Sequence, residues 1–228
     1  MMKTRKLSLL KVLLSLVGFL FLWAIVTDAW GYSELLFHAE KGTWEKYIFN
    51  LVNRLIWAIP AIVLLRLYKE DLPTKWNELF LNKPHKRPFI IAAAVIILYC
   101  FAGMLFSHGG IWLNPQFNCI KDFLKLLMVA FAEELVYRGW GLNALSVFMS
   151  KRAANLVSTL FFVLLHLPAY FIKFYLIGTI PLAAMAFQCF FVFILGLLFG
   201  YLYNRGRSLW SPMVVHFLAD FLSIMVIG

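Results

Sequence analysis

Charged residues are what this sequence has least of: Asp, Glu, Lys and Arg make up 14% of its 228 residues, against about 25% in an ordinary soluble domain. A soluble enzyme carries a charged, hydrated surface, and a chain that is 63% apolar cannot hide that many side chains from water. A disordered segment is excluded as well, since it needs low hydrophobicity. Cysteine is also scarce. Cys100, Cys119 and Cys189 lie in separate segments without a CxxC pair, so the sequence encodes neither a disulfide scaffold nor a zinc-binding spacing. No repeat, low-complexity tract or linker divides the chain. A polytopic membrane protein with little outside the bilayer remains.

Long apolar runs are abundant. A span needs about 20 mostly apolar residues, and the runs fall at 9–27, 47–68, 89–106, 120–147, 153–174, 183–203 and 211–227, the fourth being two segments or one long helix. They predict an all-α fold, a polytopic transmembrane bundle of about seven to eight helices. At the N-terminus Lys3, Arg5, Lys6 and Lys11 precede the run Val12 to Val26, which imitates a secretory signal. Only Thr27 and Ala29 supply small residues for cleavage, so the segment reads as a retained anchor.

The balance of 21 basic against 11 acidic residues gives a formal +10. In a membrane protein this reflects orientation and attraction to anionic lipid headgroups, not nucleic acid. Loop 28–46 is mostly acidic, whereas loop 69–88 carries Lys69, Lys75, Lys83, Lys86 and Arg87. The positive-inside rule then puts the N-terminus in the cytoplasm, with the chain integral to the plasma membrane.

Charges within spans are expensive, and each is a functional candidate. Arg54, with Asn50 and Asn53 near Pro60, has no evident catalytic partner in sequence and reads as structural, pairing within the bundle or snorkelling. The fourth span holds Glu133, Glu134 and Arg138. Residues four apart share a helix face, so Glu134 pairs with Arg138 while Glu133 points about 100° away and is left free. An unpaired buried carboxylate can exchange a proton near neutral pH, as a general base must.

In the fifth span, Pro168 cannot donate to Leu164, so a kink and a wet polar group are expected beside His166. The last span opens with Ser211 as N-cap and Pro212 at the first helical position, and places His216 and Asp220 four apart on one face. Being short for the bilayer, its N-terminus is expected to open into a water-accessible recess, with the positive end of its dipole near His216. Gly196 and Gly200 form a GxxxG packing face without chemistry of their own. At about 1.5 Å per residue from the cytoplasmic ends, Arg138 lies about 16 Å deep, His166 about 20 Å, His216 about 10 Å, Asp220 about 16 Å and Glu133 about 24 Å. These groups can therefore meet.

EExxxR at Glu133, Glu134 and Arg138, FxxxH at Phe162 and His166, and HxxxD at His216 and Asp220 follow one another on successive spans. In this order they resemble the CAAX protease and bacteriocin-processing (CPBP, formerly Abi) intramembrane proteases, which include the Ras-converting prenyl endopeptidases. The resemblance covers about 117–225. It divides the chain into N-terminal transmembrane helices, 1–116, and catalytic core helices, 117–228, of one membrane domain.

The resemblance implies hydrolysis of a peptide or membrane-protein substrate by a water activated by Glu133 and His166, an oxyanion stabilised at His216 and Asp220, and a site shaped by Glu134 and Arg138. Tyr137 stands where the family commonly has Phe. Asp220 stands where many members have Asn; without a proton it cannot donate to an oxyanion and acts by orienting His216. Two Glu, two His and an Asp could hold a divalent ion such as zinc, but HExxH is missing and no spacing requires one, so no cofactor is expected. Two other functions fit a helical bundle with buried charges. One is a non-catalytic bacteriocin-immunity or membrane-partner-binding protein. The other, a small transporter or proton relay, is disfavoured because two similar halves are missing.

Overall fold

The computed structural model describes residues 6–36, 43–171, 178 and 181–226, and among these every regular element is helical. The helices are α1 (Leu9–Leu36), α2 (Trp44–Leu67), the short α3 (Trp76–Leu81), α4 (Lys86–His108), α5 (Cys119–Glu134), a π-helical segment Leu135–Leu142, the single turn α6 (Asn143–Leu145), α7 (Lys151–Phe171), α8 (Leu182–Gly206) and α9 (Trp210–Val226). Five of them are long and apolar enough to cross a membrane: Leu9–Val26 within α1, Tyr47–Leu67 within α2, and α4, α7 and α8. The expected all-helical membrane bundle is what forms. His38, Lys173, Lys3 and Arg5 lie outside the described residues.

Local chemistry sets the helix ends. The Asn118 side chain accepts from the Lys121 amide at 3.0 Å and Asp122 accepts from the Asn118 amide at 2.9 Å, a reciprocal cap that starts α5. Gly109 ends α4 in the left-handed region, at φ 68°, with its amide on Leu105. The fourth predicted run is one continuous helical stretch whose middle widens into π-helix. Such widening inside an α-helix often marks a functional site. One element limit differs from expectation: the backbone of α1 stays helical to Leu36, into the predicted loop, whereas α7 runs through Pro168 to Phe171, within the predicted span.

The start of α9 also departs from expectation. The helix begins at Trp210, whose amide reaches the Ser208 hydroxyl at 3.3 Å, so Ser208 and not Ser211 serves as the local acceptor. No open recess forms there. Ser211, Pro212 and Met213 are buried. Leu209 donates to the Leu79 carbonyl of α3 at 2.8 Å, and the Trp210 indole donates to Phe80 at 2.8 Å. α3 thus covers the end that its shortness was expected to leave wet.

Two apolar clusters hold the bundle. One joins α1, α2, the π-segment and α7 through Leu16, Phe19, Trp57, Tyr137, Trp140 and Phe162. The other joins α4, α8 and α9 through Ile96, Met104, Phe199 and Val215. Large apolar residues such as Ile91, Val95, Leu98 and Phe106 of α4 face outward, as lipid solvation requires. The seam between α7 and α8 depends on Gly196, where a Cβ would stand 2.7 Å from Thr159 Cγ2 and 3.2 Å from Phe162 Cδ1. Gly196→Ala should therefore cost about 1–3 kcal/mol by overpacking. Its melting temperature in detergent should fall, whereas Gly18→Ala, which meets nothing within 4 Å, should leave melting unchanged or raise it.

Candidate active site

The charges that the sequence places in apolar spans meet at the junction of α2, α5, the π-segment, α7, α8 and α9. Glu133 and Glu134 end α5, and Arg138 follows within the π-segment; all three are buried, with Glu134 at 0% and Arg138 at 1% exposure. Arg138 Nη1 donates to Glu134 Oε1 at 2.9 Å, the pair that the four-residue spacing anticipates. Its Nη2 donates to the Gly196 carbonyl at 3.0 Å. The guanidinium also lies 4.4 Å over the Phe162 ring and 5.3 Å from that of Phe199. Gly196 is thus more than a packing residue: the close approach it permits brings its carbonyl to Arg138.

His216 enters from α9 and stacks on Phe199 at 4.8 Å between ring centroids. Its Nδ1 lies 2.8 Å from Glu134 Oε1, and since a carboxylate only accepts, Nδ1 is the donor. Nε2 faces Asp220 Oδ2 at 3.4 Å and Glu133 Oε2 at 3.8 Å. Asp220, 33% exposed at its side chain, is the least buried of these groups. Glu134 Oε2 is buried with no hydrogen-bond partner among the described residues.

His166 comes from α7. Its Nδ1 lies 2.8 Å from the Phe162 carbonyl, one turn earlier, so Nδ1–H donates there. In the neutral ring this leaves Nε2 as an acceptor. The helix backbone itself thus fixes the tautomer of the ring. Glu133, His216 and Asp220 all lie within electrostatic reach of the ring. The Phe162 ring stands edge-on between the two histidines, 5.0 Å from His166 and 5.9 Å from His216.

One residue overturns an expectation. Glu133 is not free: Arg54 Nη1 of α2 donates to its Oε1 at 2.7 Å. Arg54, read from sequence as a structural charge, is an immediate neighbour of the acidic pair. Its guanidinium also lies 4.3 Å over the Trp23 ring of α1. The pair spans 79 positions in the chain, so no local spacing could announce it. The one available signal was that an intramembrane arginine requires an anion, and few are on offer.

As for metal ligation, one oxygen of each glutamate is taken by a guanidinium, and His216 is turned toward carboxylates. Among the described residues no group of three His, Cys, Asp or Glu side chains is arranged to hold a metal ion.

A membrane bundle that gathers two glutamates, two histidines and an aspartate in its interior belongs to the class of integral membrane proteins with a buried acid–histidine site. Residues 115–222 match the family described as Type II CAAX prenyl endopeptidase Rce1-like, which bears out the resemblance drawn from the three motifs. The matched segment runs from just before α5 into α9 and includes Glu133, Glu134, Arg138, His166, His216 and Asp220, but not Arg54. No curated protein and no solved structure matches the chain.

The inner pair is testable through stability. Arg138→Met leaves the carboxylate of Glu134 buried without its cation, which should cost about 3–5 kcal/mol. Thermal denaturation in detergent should show that loss, and Arg138→Met combined with Glu134→Gln should regain part of it because no charge is then stranded.

Proposed function

We propose that this chain is an intramembrane endopeptidase of the CPBP type that hydrolyses a peptide bond without a metal. The observation that carries the reading is that one carboxylate oxygen without a close donor and one acceptor imidazole nitrogen lie at the same junction. Glu133 has Oε1 engaged by Arg54 but Oε2 without a close donor, and His166 has its donor spent on Phe162 and Nε2 free to accept. A water held by these two acceptors has its oxygen lone pair available for a carbonyl carbon. In the proposed step the water oxygen bonds to that carbon while a water proton passes to Glu133 or His166. The same proton then goes to the departing amine nitrogen as the carbon–nitrogen bond breaks.

Charge develops on the carbonyl oxygen during attack. His216 supports that charge in this reading as the imidazolium, its ring faced by the carboxylates of Glu134, Asp220 and Glu133: Nδ1–H is held by Glu134, which fixes the ring, and Nε2–H has only the long 3.4 Å and 3.8 Å contacts to give up before it donates to the oxyanion. Asp220 acts here through orientation of His216 and not as a donor. Glu134 and Arg138 hold the frame. The substrate is a peptide leader or membrane-protein segment presented from the bilayer. The excess of basic residues on the N-terminal side supports a cytoplasmic N-terminus in the plasma membrane.

One observation favours the non-catalytic alternative, in which the bundle sequesters a bacteriocin or membrane partner: Glu133 is ion-paired, and a paired carboxylate is a weak base. Substitution separates the two. Glu133→Gln and His166→Ala should each reduce cleavage of a membrane-protein substrate by at least about 100-fold, with protein level unchanged. Full cleavage in either variant would sink the protease reading, and protection from a bacteriocin that survives both would favour the alternative.

A further inference from the structure

We infer that Arg54, outside the segment that carries the family motifs, is the positioning residue for Glu133. The inference rests on the protease reading above and assigns Arg54 a part in it. Three observations lead to it.

The contact is specific. Arg54 Nη1 meets Oε1 of Glu133 at 2.7 Å and leaves Oε2 directed toward His216 Nε2. A carboxylate on a flexible two-carbon stem has no fixed working oxygen; a guanidinium on one oxygen supplies one. The acidic pair is then asymmetric. Arg138 and His216 converge on one oxygen of Glu134, while Glu133 is steered from the opposite side by another helix.

Arg54 is itself braced. Its guanidinium lies 4.3 Å over Trp23, and the Trp23 ring lies 5.2 Å from that of Trp57. The Trp57 indole donates to the Phe19 carbonyl at 3.1 Å, and its ring packs 5.7 Å from Tyr137, in the turn after Glu133. A continuous aromatic layer therefore ties α1 and α2 to the helix that bears the glutamates. A planar guanidinium suits a stacked, directional post of this kind; a lysine ammonium does not.

Arg54 also lines a small cleft to which Glu133 does not contribute. The cleft, of about 60 Å³, is lined by Asn50, Leu51, Arg54, Lys125 and Val129. The side chain of Arg54 is 17% exposed and that of Glu133 only 5%, so the guanidinium is the more accessible member of the pair. The carboxylate is left to the interior of the site.

The test uses the full-length chain in detergent or liposomes and a cleavable membrane-protein substrate. Arg54→Gln should lower kcat by about 30- to 100-fold with KM changed less than about threefold, because the base is misplaced while the substrate surface is intact. Arg54→Lys keeps the charge without the fork and should recover part of kcat. Lys125→Gln, which removes a charge from the same cleft without touching Glu133, should leave kcat within about twofold. A second readout is independent of activity. The double variant Arg54→Gln with Glu133→Gln should melt higher than Arg54→Gln alone, because no anion is then stranded.

A kcat within twofold of the parent in Arg54→Gln overturns the inference while leaving the protease reading intact, and so does an equal loss in Lys125→Gln. A double variant that melts no higher than Arg54→Gln shows that the pair is not made and also overturns it. If the parent cleaves nothing while the double variant shows the coupling, the protease reading fails. Arg54 is then a structural link between α2 and α5.

Discussion

Two carboxylates side by side in an apolar bundle are the constraint on which the rest of this structure depends. An ion left alone there costs several kcal/mol even after relaxation, and adjacent glutamates double the demand while also repelling each other. The fold answers by bringing a separate cation to each. Arg138 reaches Glu134 from one turn along the same helix, and Arg54 reaches Glu133 from α2. Because residues 133 and 134 point about 100° apart, the two cations must come from different directions, and α2 must lie against α5. The ion pairs thus add to apolar packing in setting which helices meet.

The arginines must in turn be accommodated. Arg138 is 1% exposed, and its remaining needs are met by the Gly196 carbonyl and by the faces of Phe162 and Phe199. A helix carbonyl is available to a side chain only where another helix comes very close, so a glycine on α8 becomes a requirement of an arginine on the π-segment. The same two phenylalanines contact His216, and Phe162 also contacts His166. Aromatic rings serve well here because they offer a cation a face and an imidazole a face or an edge without adding a further group that must be hydrogen-bonded.

Local periodicity carried much of this in the sequence. The apolar runs give the spans, the four-residue spacing gives Glu134 with Arg138 and His216 with Asp220, and helix rise puts them at similar depth. What periodicity does not hold is which helix neighbours which. Arg54 was legible as an anomaly but not as the partner of Glu133, since 79 residues separate them and helix packing alone decides the match. The covered start of α9 was missed for the same reason: α3 is a six-residue helix inside a basic loop, too short to show periodicity, yet its carbonyls take the Leu209 amide and the Trp210 indole.

The glutamates are chemically alike and differ only in what surrounds them, which is how a site divides structural from reactive work. Oε1 of Glu134 receives both Arg138 and His216, so moving that carboxylate would break contacts to the π-segment and to α9 together. It belongs to the frame. Glu133 has one strong partner, on one oxygen, and its other oxygen faces a histidine nitrogen at 3.8 Å, too long for a formed hydrogen bond. In the proposed reaction, the group that accepts a proton and returns it needs a position that is fixed and an atom that is not already committed. Among the acidic side chains at this junction, Glu133 meets both conditions: Asp220 is more exposed and Glu134 is fully enclosed. The asymmetry follows from a single helical step between neighbouring residues, with α2 supplying on one side what α9 supplies on the other.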